Sequence, residues 1–364
     1  MARNKLNRKC NRYSGIGGQA VLEGIMMKNK DRYAVAVRRP DGEIAVEVEE
    51  YRGVLHDSKW TKLPFIRGTF NFLDSLILGM KVLNYSTSFY DEVEQDAQAQ
   101  DTQSRANRGS AVMEVLVALF SVCLAIGIFV VLPYFLSTIF EKYIRNASLV
   151  TIIEGCIRIL IFLLYVWGIS AMKDIRRLYQ YHGAEHKCIN CVEKGRPLTV
   201  HNVMRSSRQH RRCGTSFLFF VILVSVVLFF FIRVDNIWEK VGLRILLMPV
   251  VAGISYELIR LAGRSDHFLV KALSAPGMLI QRLTTREPDE EMAEVAIAAV
   301  EAVFDWRAYL NETFGYEVDD SWLDDAPKAE DEDDIDGTVD EGDAAGTDSA
   351  ANADDVVADE EENV

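Results

Sequence analysis

Hydrophobic positions in this chain fall into two regimes, long unbroken runs and short alternating ones. Four runs are long: Val112–Phe140, with Glu114 and Pro133 inside it; Ile152–Met172, with Glu154 and Arg158; Cys213–Ile232, which contains SFLFFVILVSVVLFFFI; and Val241–Ala262, with Arg244, Glu257 and Arg260. About 20 apolar residues cross a hydrocarbon layer, so the pattern predicts about four transmembrane helices. Glu154 and Arg158, four apart on one helix face, are expected to pair. Upstream, Arg32–Arg38 and Glu43–Glu49 alternate apolar and polar residues around Pro40-Asp41-Gly42, the signature of a β-hairpin. Phe65–Asn84 is apolar but interrupted by Arg67, Asp74 and Lys81. It reads as an amphipathic helix on the membrane or against the bundle, because a fifth span would put the basic N-terminus outside. Residues 91–110 read as a polar linker. Downstream, Ser274-Ala275-Pro276-Gly277 predicts a break between two short interfacial helices within His267–Leu283. Met292, Val295, Ala299 and Val303 recur at helical spacing in Asp289–Leu310.

Charge divides the chain in the same direction. The 364 residues carry a net charge of −13, but Glu317–Val364 alone holds 21 acidic residues and one basic residue, Lys328. Residues 1–316 therefore carry +7, and the acidic remainder, poor in apolar residues, is expected to stay disordered. No apolar stretch follows the basic start MARNKLNRKCNRYSG, which argues against a cleaved signal peptide. Ten Lys and Arg lie within Lys173–Arg212, against two each in the loops 141–151 and 233–240. Positive residues are retained on the cytoplasmic side, so that central loop and, with four spans, both termini are expected there. The reading is a mainly α membrane protein with about four transmembrane helices, a small N-terminal β-hairpin element, a cytoplasmic metal-binding loop and a disordered acidic C-terminal tail. Its segments are a cytoplasmic region 1–64, an interfacial helix 65–90, spans in 111–172, a His/Cys loop 173–212, spans in 213–262, cytoplasmic interfacial helices in 263–316 and the tail 317–364. The partner this implies is the lipid bilayer. The basic run Arg205–Arg212 is accounted for by topology and anionic headgroups, so nucleic acid is not expected.

Candidate chemistry concentrates in that central loop. His182-Gly183-Ala184-Glu185-His186 has the H-x-x-E-H order of inverted zinc-peptidase motifs. On a helix His182 and His186 share a face and can present imidazoles to one metal, while Glu185 can take a proton from a water there. Against this stands Cys188-x-x-Cys191, followed by His210-x-x-Cys213, the spacing of a structural zinc ribbon that would leave no open position. A third arrangement takes His182 and His186 with one or both of His210 and Cys213. Each implies a divalent metal, with zinc the expected one. Glu257, an acid in a span near the same membrane face, is a candidate support for the site or a partner of Arg260 or Arg158. Gln19 and Glu23, in Gly15–Gly24, are polar groups on a segment that could fold over the loop. A phosphate loop there is disfavoured, since no strand precedes it and no Lys-Ser/Thr follows.

The segments GGQAVLEGIMM (17–27), YHGAEHKCINC (181–191), RQHRRCGTSF (208–217), GISYELIRLAGR (253–264) and LTTREP (283–288) together resemble the YqhQ-like bacterial membrane proteins, also called domain-of-unknown-function family 1385. The resemblance covers roughly 13–310 and excludes the acidic tail. It implies that Gln19, Glu23, His182, Glu185, His186, His210, Cys213 and Glu257 form a shared polar signature, and it carries the label of a predicted metal-dependent enzyme without a substrate. The usual motif of that family has Thr where this chain has Cys188, which favours the mixed His/Cys arrangement over the ribbon. Three function classes follow: a metal-dependent hydrolase with Glu185 as its catalytic base, a non-catalytic membrane scaffold with a zinc-stapled loop, and a transporter. The last is disfavoured by the few polar residues at the middle of the spans.

Overall fold

The computed structural model describes residues 13–53, 63–98, 109–232, 234, 236–265 and 267–315. The predicted hairpin is half of a larger element. Strands β1 (Ile16–Val21), β2 (Gly24–Asn29), β3 (Arg32–Arg38) and β4 (Ile44–Glu50) form one antiparallel meander in the order β1-β2-β3-β4. The segment Gly15–Gly24 is therefore largely strand, and as a strand it packs over the central segment that carries His182–His186. Alternation along β2 and β3 gives the sheet two apolar faces. Ile25, Met27, Ala34 and Ala36 point one way, and Met26, Tyr33, Val35 and Val37 point the other.

Helix α1 (Ile66–Gln98) covers the second face with Leu78 and Val82. It begins where the amphipathic pattern begins but runs well into the stretch read as a linker, of which residues 99–108 lie outside the described residues. Its N-terminal part crosses the helix that carries Gly253 at a contact of two glycines. A Cβ on Gly68 would stand 2.9 Å from the carbonyl oxygen of Gly253, and one on Gly253 would fall on the carbonyl oxygen of Phe65.

The first apolar run folds as α2 (Gly109–Ile126), a π-helical turn (Gly127–Val131) and α3 (Leu132–Glu141). The second is α4 (Ala147–Ile169), started by the Asn146 side chain, which accepts from the amides of Ser148 and Leu149. Leu119–Glu141 (23 residues, mean hydropathy 2.5) and Ser148–Ile169 (22 residues, 2.3) are long and apolar enough to cross a membrane. Their outward surfaces are apolar: Phe120 and Trp167 are each more than 60% exposed.

Next come α5 (Lys173–Glu193), the short α6 (Val200–Met204) and α7 (Gly214–Phe230). The central loop of the sequence pattern is thus mostly helix. At 17 residues, α7 rises only about 25 Å, short of the ~30 Å hydrocarbon layer. The fourth run is a bent pair, α8 (Ile237–Leu246) and α9 (Met248–Arg264), which meets at 41° and makes a third candidate span if the two halves act together. Two to three helices therefore qualify as spans by length and composition, where the hydropathy pattern predicted four.

The expected break at Ser274–Gly277 is absent. Helix α10 (Phe268–Thr284) is continuous through Pro276. One face of it, with Ser274, Gly277, Ile280, Gln281 and Thr284, is buried, and Gly277 lies close against Ser216 of α7. Packing along that face outweighs the missing amide of proline. The predicted stretch Asp289–Leu310 divides into α11 (Glu290–Val303) and α12 (Trp306–Phe314), each started by an aspartate cap, Asp289 and Asp305. Met292, Val295, Ala299 and Val303 are buried as their spacing implies, against the sheet and α5. The acidic tail from Glu317 lies outside the described residues.

Among the described residues of the apolar helices, buried charge gathers around Glu154. Glu154 accepts from Arg158 Nη2 (2.8 Å) and from both terminal nitrogens of Arg244 (2.7 Å each). Arg158 also donates to Ser225 Oγ and to the Phe129 carbonyl in the π-helical turn. The predicted Glu154–Arg158 pair is present, with Arg244 as a third member. Glu154→Ala leaves two buried guanidiniums without the carboxylate that balances their charge and should destabilise the protein by about 3–5 kcal/mol. A fall in the melting temperature of the detergent-solubilised variant checks this.

Candidate metal centre

Helix α5 packs against β1, β2, α6 and α11, and the helical repeat decides what each residue meets. At about 100° per residue, His186 lies about 40° round the helix from His182, and Glu185 about 60° to the other side. Cys188 and Cys191 fall about 240° and 180° away. The first three share a polar face. The two cysteines join Tyr181, Ala184, Ile189 and Val192 in the core against β2, β3 and α11.

On the polar face, His182 Nε2 stands 3.1 Å from Cys213 Sγ. Donor atoms of His182, His186 and Cys213 all lie within 4.8 Å of one another. Both imidazoles are held from behind. His182 Nδ1 is 2.9 Å from the Thr284 carbonyl oxygen, and His186 Nδ1 is 2.6 Å from that of Arg208. Carbonyl partners at Nδ1 fix the tautomer with the proton on that nitrogen and leave Nε2 for the cluster. Cys213 is the N-cap of α7, its Sγ accepting from the Thr215 amide, a position that favours thiolate.

Charge in the cluster is arranged accordingly. Burial works against ionised His182, but the charge and hydrogen bond of Cys213, helped by Glu185 and the Thr284 carbonyl, outweigh it and raise the imidazole to about 9. Burial also works against the Cys213 thiolate, yet His182 and His186 hold that thiol well below its ordinary value. Cys188 is the opposite case: burial, with no compensating cation, pushes its thiol up, and burial takes Cys191 to about 12. Burial raises Glu185 as well, against the pull of both histidines. Its carboxyl lies beneath β1, 3.1 Å from where a Cβ on Gly18 would stand, and is stabilised by a hydrogen bond from the Gly18 backbone.

His210 stands beside the cluster. Its ring lies 5.6 Å from that of His186, but its Nε2 faces Glu193 Oε2 at 3.5 Å and Arg212 Nη2 at 3.3 Å. Its backbone is clamped by Gln281, which accepts from the His210 amide and donates to the His210 carbonyl. Cys188 and Cys191 do not join Cys213 and His210. Cys191 Sγ is turned to the Pro197 carbonyl instead. Gln19 is on the far side of the sheet, because neighbouring strand residues face opposite ways: Gly18 meets Glu185, while Gln19 meets Gly79 of α1. Glu23, in the β1–β2 turn, pairs with Arg177 and accepts from Tyr181 Oη, tying the turn to α5. Glu257 forms a two-pronged pair with Arg67 (2.6 Å each), and Arg260 lies 3.9 Å away. It belongs to the α1–α9 crossing.

Sequence reasoning missed Glu193, Gln281, Thr284 and Arg208. Glu193 had a signal: eleven residues after His182 returns to within about 20° of the same face. Thr284 and Arg208 act through backbone carbonyls and leave no trace in residue type.

A model of the family described as "Protein of unknown function (DUF1385)" matches residues 63–306. The chain belongs to that family. The uncharacterized protein YqhQ of Bacillus subtilis (strain 168) is 35% identical over 287 residues, covering 77% of this chain and 89% of that protein. No solved structure matches the chain.

Two expectations follow from the site. Buried Glu193 keeps its charge through His210, Arg212 and the Ser14 amide, which overcome burial and lower it to about 2. Its contribution, on the order of 3 kcal/mol, is complete above its ordinary value of 4.5 and is lost as pH falls toward 2. Glu193→Gln should be less stable at neutral pH and lose less between those limits, read by denaturant unfolding across pH. A Cβ on Gly183 would fall on the Arg286 carbonyl oxygen, where the strap after α10 crosses α5. Gly183→Ala should therefore lower stability by about 1–3 kcal/mol, read from the same unfolding curves.

Proposed function

We propose that the chain is a membrane-embedded metal-dependent hydrolase whose metal, zinc by the chemistry of its donors, is held by His182, His186 and Cys213. The observation that carries the reading is the convergence of two imidazole nitrogens and one sulfur, with both imidazoles oriented by carbonyls at Nδ1. In tetrahedral zinc sites such ligands stand about 3.3–3.6 Å apart, and the 3.1 Å His182–Cys213 separation lies near that spacing. Three protein ligands leave a fourth position open, the pattern of catalytic rather than structural zinc sites. Bound there, zinc supplies Lewis-acid polarisation and lowers the pKa of water toward about 7.

The chain supplies the rest. Glu185 is the general base: burial raises its carboxyl toward the range where it can both accept and return a proton, and the Gly18 backbone holds it in place. The strap at Thr285–Glu287 and strand β1 cover the site and limit the water around it. The topology proposed with this activity has four spans, with α7 and the bent α8–α9 pair added to the two long ones. The ten positive residues of Lys173–Arg212 support the orientation proposed with it, in which that segment and both termini face the cytoplasm of an inner-membrane protein.

Metal content and function in cells separate the parts of this reading. His182→Ala and Cys213→Ser should each lose the metal by elemental analysis of the purified protein. Glu185→Gln should keep metal and fold, yet fail to complement a deletion strain, with a loss on the order of 10²–10⁴ in turnover once a substrate is found. Full complementation by Glu185→Gln, together with loss of metal in Cys191→Ala, would instead establish the zinc-stapled scaffold.

A further inference from the structure

At the C-terminal end of α9 a cleft of about 430 Å³ is lined by Tyr13, Arg67, Arg212, Tyr256, Ile259 and Arg260. Its three guanidiniums come from three separate parts of the chain. Arg67 is the second residue of α1, Arg260 lies on α9, and Arg212 precedes the N-cap of α7. Arg212 is brought there by a close fit: its side-chain methylenes lie where a Cβ on Gly263 would stand. Its guanidinium then stacks over the Tyr13 ring at 4.3 Å.

Among the described residues, two carboxylates reach these three cations. Glu257 is taken by Arg67 through two hydrogen bonds of 2.6 Å, and Glu193 pairs with Arg212. One positive charge is left over, and Arg260 carries it. Its guanidinium makes no hydrogen bond to a described residue, and Glu257 is 3.9 Å away, beyond hydrogen-bond reach. The side chain is one-third exposed, open enough to meet a ligand and covered enough that screening is incomplete. Helices α1 and α7 both begin beside the cleft, and the positive ends of their dipoles add to the field, against the opposing C-terminus of α9. The two tyrosine rings and Ile259 give the remaining wall an apolar and hydroxylated character.

We propose that this cleft binds a singly charged phosphate group, with Arg260 as its principal donor and Arg67 and Arg212 in support. A guanidinium offers paired N–H groups that match two phosphate oxygens, and an excess of one charge suits a phosphodiester or monoanionic phosphate. The apolar wall favours a phosphate that carries an organic body. One source is the headgroup of a membrane phospholipid, which fits the reading of α8–α9 as a span; the other is free phosphate. Neither depends on the metal centre.

Isothermal titration of the full-length protein in neutral detergent tests this. The probes are dihexanoyl phosphatidylglycerol, dihexanoyl phosphatidylcholine as the zwitterionic control, and inorganic phosphate. Wild type should bind the phosphatidylglycerol in preference to the phosphatidylcholine. Arg260→Gln should weaken that binding at least about tenfold, as loss of a charge-assisted hydrogen bond implies, with unchanged melting temperature and metal content. Arg307→Gln, which removes one positive charge on α12, should bind as wild type. Displacement of the lipid by inorganic phosphate would make free phosphate a sufficient ligand, and failure to displace it would identify the lipid. The proposal is overturned if neither anion binds, if phosphatidylcholine binds equally well, if Arg260→Gln binds as wild type does, or if Arg307→Gln loses as much.

Discussion

Burial of the C-terminal part of α5, Tyr181–Glu193, on nearly every side is the constraint on which the rest of this structure depends. A polar group removed from water must find a partner inside the protein, and α5 carries an unusual number of them. His182 reaches the Thr284 carbonyl, His186 that of Arg208, Lys187 that of Met204, and Asn190 those of Ser207 and Gln209. Glu193 gathers Ser14, His210 and Arg212. Each bond ties α5 to a segment far from it in the chain. Together they fix the irregular stretch 204–213, the strap after α10 and the start of β1 around one helix.

The same constraint explains why the candidate centre is built as it is. With the surroundings already held by backbone carbonyls, the imidazoles have a single orientation left, toward Cys213. The helix start at Gly214 and the neighbouring histidines favour the thiolate form of that cysteine, whereas Cys188 and Cys191 sit on the apolar face and stay protonated. Three buried cysteines of one short segment thus have opposite chemistry, decided by which side of α5 they meet. Among the apolar helices, Glu154 is satisfied in the same manner, by two arginines and a π-helical turn that frees a carbonyl.

Much of the local structure was legible in residue order. The hairpin Arg32–Glu50, the amphipathic start of α1, the apolar helices and the Glu154–Arg158 pair follow from periodicity and spacing alone. So does the shared face of His182, Glu185 and His186. The errors have specific causes. Strand β1 lies in the segment Gly15–Gly24, whose four glycines give no strand-like alternation. Pro276 signals a break that packing on α7 overrides. The pairing of Cys188-x-x-Cys191 with His210-x-x-Cys213 looks like a ribbon because spacing carries no information about which side of a helix a residue takes.

By itself, the sequence determined which segments are apolar enough to leave water, which carry the positive charge, and which residues have metal-binding chemistry. These properties belong to single residues and to short-range periodicity. Only the tertiary structure decided that Cys213 joins the two histidines while His210 turns to Glu193, that Gln19 lies across the sheet from Glu185, and that Glu257 answers to Arg67. Each of those outcomes depends on contacts between distant segments, selected by close backbone crossings at Gly183 and Gly253, by the room Gly18 leaves for Glu185 and by the cost of leaving buried polar groups unpaired.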